Sequence, residues 1–99
     1  MYIREMHLPP QFIDELNNRT QTSQVVGQKV TLKHKGGGEY LGLCPFHNEK
    51  TPSFSVSDNK GFYHCFGCGA HGNAIKFIQD TQGLGFIDAV KNLATSAGM

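Results

Sequence analysis

The sequence predicts a small α+β domain, an antiparallel sheet of about four or five strands flanked by short helices, on three observations. Apolar residues recur at helical spacing near both ends of the chain, they alternate with polar residues through its middle, and two short knuckles bearing cysteine and histidine interrupt the alternating part. At 99 residues, with 38% hydrophobic residues, 12 glycines and no tryptophan, the chain is expected to form one core with few large anchors. Such a domain needs a cross-link beyond its apolar contacts.

Pro9 and Pro10 suit a helix start, and Phe12, Ile13 and Leu16 follow at helical spacing with Asp14 and Glu15 between them. Thr20 to Ser23 are expected to cap a further helical turn through Val26. Val30 to Lys35 alternate as a strand, Gly36-Gly37-Gly38 make a turn, and Tyr40 to Leu43 return as the second arm of a hairpin. Ser53 to Ser57 alternate again, Asp58-Asn59-Lys60-Gly61 is turn chemistry, and Phe62 to Phe66 is rich in strand-forming aromatics. From Ala74 the apolar spacing changes to 3.6, with Ile75, Phe77 and Ile78 on a helix; Gly83 and Gly85 interrupt it, and Phe86, Val90, Leu93 and Ala97 share one face of a last helix. The expected organisation is one domain, 1–99, in three parts: an N-terminal helical segment (1–27), a ribbon (28–71) and C-terminal helices (72–99).

Cys44-x2-His47 and Cys65-x2-Cys68 each have the spacing that lets two side chains of one turn converge on a tetrahedral ion. Three thiolates and one imidazole form a closed set that favours one structural Zn²⁺ over calcium or magnesium, and the missing fourth cysteine disfavours iron. The middle of the chain therefore reads as a zinc ribbon, and the ion supplies the cross-link that the composition lacks. The N–H groups of Phe66, Gly67 and Gly69 are expected to donate to the thiolates. Among the five histidines, His64 neighbours Cys65 on a strand and should face away from it, His71 would leave Cys44 without a partner, and His7 and His34 read as surface residues. The count of three cysteines cannot close into disulfides within one chain. The start of the chain lacks an apolar signal stretch, and no apolar run approaches the roughly 18 residues of a membrane span, so an intracellular location is expected.

His47-Asn48-Glu49 with Cys65-x2-Cys68 imitates the signature of zinc nucleobase deaminases, whose glutamate shuttles protons. That chemistry needs an open coordination position, which Cys44 fills, and His64 stands where the pattern has proline. No Walker-type loop, Ser/His/Asp set or carboxylate pair offers another mechanism, so the chain itself is not expected to be an enzyme. The formal net charge is only +1, yet residues 28–76 carry Lys29, Lys33, Lys35, Lys50, Lys60 and Lys76 against Glu39, Glu49 and Asp58. These lysines interleave with Tyr40, Phe54, Phe62, Tyr63 and Phe66, about half of which alternation sends to the core. Lysines beside exposed rings hold single-stranded nucleic acid; a zinc ribbon that docks on protein is the rival reading.

The runs Cys44-Pro45-Phe46-His47-Asn48-Glu49-Lys50-Thr51-Pro52-Ser53-Phe54 and Phe62-Tyr63-His64-Cys65-Phe66-Gly67-Cys68-Gly69-Ala70-His71-Gly72-Asn73-Ala74 resemble the N-terminal zinc-binding domain of bacterial DNA primases of the DnaG type. The likeness extends to Phe12-Ile13-Asp14-Glu15-Leu16 and Phe86-Ile87-Asp88-Ala89-Val90, and departs from the family at Thr22 to Val26. It implies the template-reading module of an enzyme that makes RNA primers on single-stranded DNA, a DNA-directed RNA polymerase whose catalytic core has no counterpart here. It further implies that Cys44, His47, Cys65 and Cys68 hold zinc, that Lys50, Thr51, Ser53 and Phe54 lie on or beside the DNA-facing surface, and that Lys33, Lys35, Lys60 and Lys76 contribute charge. Phe62 and His64 would reach the strand if their sheet face is open. The implied partners are the DNA template and the primase polymerase domain, in cis or in trans. A replicative helicase would be met only through regions absent from this chain, and the implied location is the bacterial cytoplasm, at the replisome. The rival reading is docking on the polymerase domain or another replisome protein.

Overall fold

A computed structural model of the chain describes residues 9–98; His7 lies outside them. Helices α1 (Pro10–Arg19) and α2 (Thr22–Val26) precede strands β1 (Lys33–Gly36), β2 (Glu39–Gly42), β3 (Phe54–Ser57), β4 (Phe62–Cys65) and β5 (His71–Gly72), and helices α3 (Ala74–Gln82) and α4 (Phe86–Ala97) close the chain. The strands form one antiparallel meander in the order β1-β2-β3-β4-β5. Among the described residues no helix is long and apolar enough to cross a membrane.

Alternation along the strands divides the sheet into two faces. Phe54, Val56, Tyr63 and Cys65 point inward, where Val26 and Val30 and Phe77 of α3 cover them. Their rings pack tightly: Phe54 stacks on Tyr63 at 5.2 Å, and Phe77 meets Tyr63 edge-on at 5.5 Å. A second cluster joins Leu16 of α1 to Ile75 and Ile78 of α3 and to Ala89, Val90 and Leu93 of α4. Val25 packs against both clusters, so helices and sheet share one continuous interior.

Two expectations are corrected here. The alternating stretch from Val30 begins its strand only at Lys33, because the Val30 N–H is taken by the Val26 carbonyl at 2.9 Å and the Val30 side chain is buried in the core. Residues 30–32 cross close over Gly42, where a β-carbon would stand 2.7 Å from the Thr31 carbonyl oxygen. The α2 start is capped from a distance and not by its own Thr or Ser side chains. Asp58, in the turn between β3 and β4, accepts from the Ser23 N–H at 2.8 Å and from the Ser23 hydroxyl at 2.7 Å. The same turn is tied to the first hairpin, since Asp58 N–H donates to the Gly38 carbonyl at 2.9 Å and Asn59 Nδ2 to that of Gly37 at 2.7 Å. The later helices follow the sequence signals: Asn73 caps α3 by accepting from Lys76 N–H at 2.9 Å, and Gly83 ends it in the left-handed conformation.

Leu16 is fully buried whereas Phe86 is 45% exposed, although both lie on apolar helical faces. Leu16→Ala is expected to lower unfolding free energy by about 2 to 5 kcal/mol, and Phe86→Ala by roughly 0.5 kcal/mol, the range of surface changes. Urea denaturation of the zinc-loaded chain measures both.

Candidate metal centre

Each knuckle is built around one thiol that accepts a hydrogen bond two residues on. Phe46 N–H donates to Cys44 Sγ and Gly67 N–H to Cys65 Sγ, both at 3.3 Å. The first knuckle is set against the core by Phe46, whose ring lies 6.0 to 6.2 Å from those of Phe77, Tyr63 and Phe54. The second continues from β4, and its loop is closed by Cys65 N–H donating to the Ala70 carbonyl at 2.7 Å and Gly69 N–H donating to that of Cys65 at 2.9 Å. Two of the three expected donors to sulfur are thus engaged elsewhere: Gly69 binds a carbonyl, and Phe66 N–H donates to the Ser53 carbonyl at 2.9 Å. Gly67 leaves room where the knuckles meet, since a β-carbon there would stand 2.9 Å from Ser53 Oγ and 3.0 Å from His47 Nε2.

The four donor atoms of Cys44, His47, Cys65 and Cys68 lie within 4.8 Å of one another. Cys44 Sγ and Cys68 Sγ are 3.8 Å apart, the edge of about 3.8 Å that a tetrahedron with 2.3 Å Zn–S bonds requires. His47 supplies an independent test of fit: its Nδ1 is buried with no hydrogen-bond partner among the described residues, while its Nε2 stands 3.3 Å from Glu49 Oε1. One ring nitrogen is available to an ion and the other lies beside a carboxylate, the kind of neighbour that orients metal-binding imidazoles.

Glu49 therefore has a different part from the one its deaminase-like spacing suggests. Its Oε2 accepts from Cys44 N–H at 2.8 Å and Ser53 N–H at 3.1 Å, and its Oε1 accepts from the Ser53 hydroxyl. The Ser53 hydroxyl, followed by the Cys44 N–H, holds the carboxyl below its usual range. It braces the loop and is not poised to carry protons. In the metal-free protein, burial pushes the Cys44 thiol up to about 12. Burial also works to raise Cys65, but the Ser53 hydroxyl and the N–H groups of Cys68 and Gly67 outweigh it and bring the thiol to about 7.

The remaining candidates fall into separate groups. Directly paired residues share a sheet face, so the register puts Lys33, Leu41, Ser55, His64 and His71 in one row across the face opposite the core. Phe62 and Lys60 border the same face, and His64 does point away from Cys65. Lys35 is exposed on β1, and Lys50 and Thr51 are exposed in the loop between β2 and β3. Phe54 is corrected: fully buried in the aromatic cluster, it braces the loop and presents no ring to a base. The Ser53 hydroxyl is committed to Glu49. Lys76 stands on α3, which covers the inner face, and pairs with Asp80 at 2.7 Å. Phe66, named among the interleaved rings but not among the residues expected to meet DNA, is 73% exposed and packs edge-on against His64; the two-residue steps from Phe62 to His64 to Phe66 are the signal that marks it.

The CHC2 zinc finger family matches residues 8–99. DNA primase of Neisseria meningitidis serogroup A is 55% identical over 92 residues, 93% of this chain and 15% of the relative. Primases of Haemophilus influenzae and Pseudomonas aeruginosa are 53% and 54% identical over the same share of this chain, covering 15% and 14% of their own lengths. The fold is also similar to the crystal structure of the Aquifex aeolicus primase zinc-binding and RNA polymerase domains, with TM-score 0.79 and 39% identity over 88% of this chain and 21% of that one. The chain thus spans about 15% of the length of the curated relatives it matches. A match along nearly the whole chain, with a Cys/His cluster shaped for one zinc ion, means that this chain belongs to the CHC2 zinc finger family, the zinc-binding domain of bacterial DNA primases.

Proposed function

We propose that the chain holds single-stranded template DNA for a bacterial primase and helps select where RNA primers begin, with Cys44, His47, Cys65 and Cys68 ligating the zinc. The observation that carries this reading is the open sheet face. Phe62 and Phe66 stand exposed there beside His64, flanked by Lys60 and Lys33, while the helices and the metal cluster occupy the other side. Rings that take bases and lysines that take phosphate are what a single strand requires. The primer synthesis itself, a nucleotidyl transfer, belongs to a polymerase domain that this module serves in cis or in trans, in the bacterial cytoplasm. The ribbon of residues 28–71 is the working part, and the helical segments 1–27 and 72–99 support it.

Zinc ligation makes two predictions. His47→Ala should lower zinc affinity more than His64→Ala or His71→Ala in a chelator competition, and chelation should abolish amide-exchange protection across residues 40–70, because short hairpins with few buried side chains do not persist alone. Binding must also displace the Cys44 proton at any pH below about 12, and the Cys65 proton as well once the pH falls below about 7. Apparent zinc affinity therefore drops as pH falls, more steeply on acidification through neutrality; a competition assay across pH 5.5 to 8.5, about three units around that point, reads it.

For DNA, about three or four phosphate contacts at about 0.7 each predict a log-log salt slope near −2 to −3. Lys50→Ala or Lys60→Ala should each reduce that slope by about 0.7, while Lys91→Ala, on α4, leaves it unchanged. Fluorescence anisotropy with short oligonucleotides measures this. Binding that ignores salt, or that falls equally with Lys91→Ala, would replace DNA reading by docking on the polymerase domain.

A further inference from the structure

The open face contains a trough. On this side β3 presents only Ser55 and Ser57, since Phe54 and Val56 point inward, and its neighbours carry larger side chains in register: Leu41 and Glu39 on β2, His64 and Phe62 on β4. The resulting cavity has a volume of about 270 Å³ and is bordered by Glu39, Lys60, Phe62, His64 and Phe66.

Two features distinguish it from a simple phosphate track. Phe66 leaves most of its ring in water, held edge-on to His64 at 4.6 Å, and stacking a base on that ring would remove apolar surface from solvent. Glu39 brings a carboxylate that enters no ion pair among the described residues, although Lys60 borders the same trough. A carboxylate repels phosphate. It accepts hydrogen bonds from the exocyclic amino group of a base, as acidic side chains do from cytosine N4, and in a single strand those edges are unpaired and accessible.

We infer that the trough takes one unstacked base, with its ring on Phe66 and its amino-bearing edge toward Glu39, and so selects cytosine, adenine or guanine over thymine at that position. Thymine has no amino group to offer, and its one N3–H donor sits between the O2 and O4 acceptors, which the carboxylate repels. Lys60, at the rim, meets the adjoining phosphate. This selectivity rests on the proposal that the open face holds template DNA.

The test is anisotropy titration of the zinc-loaded 99-residue chain with short oligothymidine strands carrying one central cytosine, adenine, guanine or thymine. The amino-bearing strands should bind at least about five-fold more tightly than the all-thymine strand. Glu39→Gln, which keeps the shape and removes a negative charge, should tighten all strands while shrinking the preference to within about two-fold. Phe66→Leu should weaken every strand by about five-fold or more with zinc content unchanged. Equal binding of all four strands by the unaltered chain overturns the selectivity, as does a preference that survives Glu39→Gln or a Phe66→Leu chain that binds undiminished; in those cases salt-dependent binding still supports the open face as the DNA surface. Absence of salt-dependent binding to any strand overturns both.

Discussion

Three thiols and an imidazole crowded within 4.8 Å are a poor arrangement for a protein left to itself. Burial keeps the Cys44 thiol protonated far above neutrality, while hydrogen bonds draw Cys65 toward ionisation, so the cluster left to itself is at odds with the full set of thiolates that a metal site uses. A divalent cation removes the conflict, because it favours every sulfur as a thiolate. Much of the ribbon is arranged around that condition. Glu49 lies beside His47 and gathers the backbone N–H groups of Cys44 and Ser53, and Gly67 lets the two knuckles approach. Phe46 ties the first knuckle to the aromatic core, which in turn fixes the strands.

The division of labour between the two sheet faces follows from period-two alternation. Tyr63 and Cys65 look inward to the core and the metal cluster, and Phe62 and His64, one step out of phase, look outward with Phe66 beyond them. The open face therefore needs no loop of its own to hold its side chains in place. It is the reverse of the strand that carries Cys65, so an ion bound by the cluster would steady rings that it never touches.

Local patterns made most of this legible. The knuckle spacing, the change of apolar period at Ala74 and the turns at Gly36 to Gly38 and Asp58 to Gly61 each report an interaction between near neighbours in the chain, and the elements lie where those signals put them. What stayed hidden depends on contacts between distant residues. Nothing in the vicinity of Ser23 shows that its cap is Asp58. The alternation from Val30 to Lys35 is that of a strand, yet Val30 is bound back to α2 and starts the chain across Gly42. Phe54 and Phe66 are the same residue type within one aromatic pattern, and only the packing of Phe77 and Tyr63 decides that the first is buried and the second is left in water. For Glu49, spacing suggested chemistry, whereas its hydrogen bonds are those of a brace.

The edge strand β1 is exposed along its whole length and carries Lys33, His34 and Lys35 beside a row of backbone groups that pairs with no further strand among the described residues. An open edge of this kind invites a strand from another molecule, and positive side chains are a common defence against such pairing. The opposite edge, β5, is only two residues long and offers little to extend. The lysines of this edge thus disfavour edge-to-edge pairing between copies of the domain. Exchanging them for neutral β-formers would do more than remove charge: it would leave an exposed strand edge open to pairing with another chain.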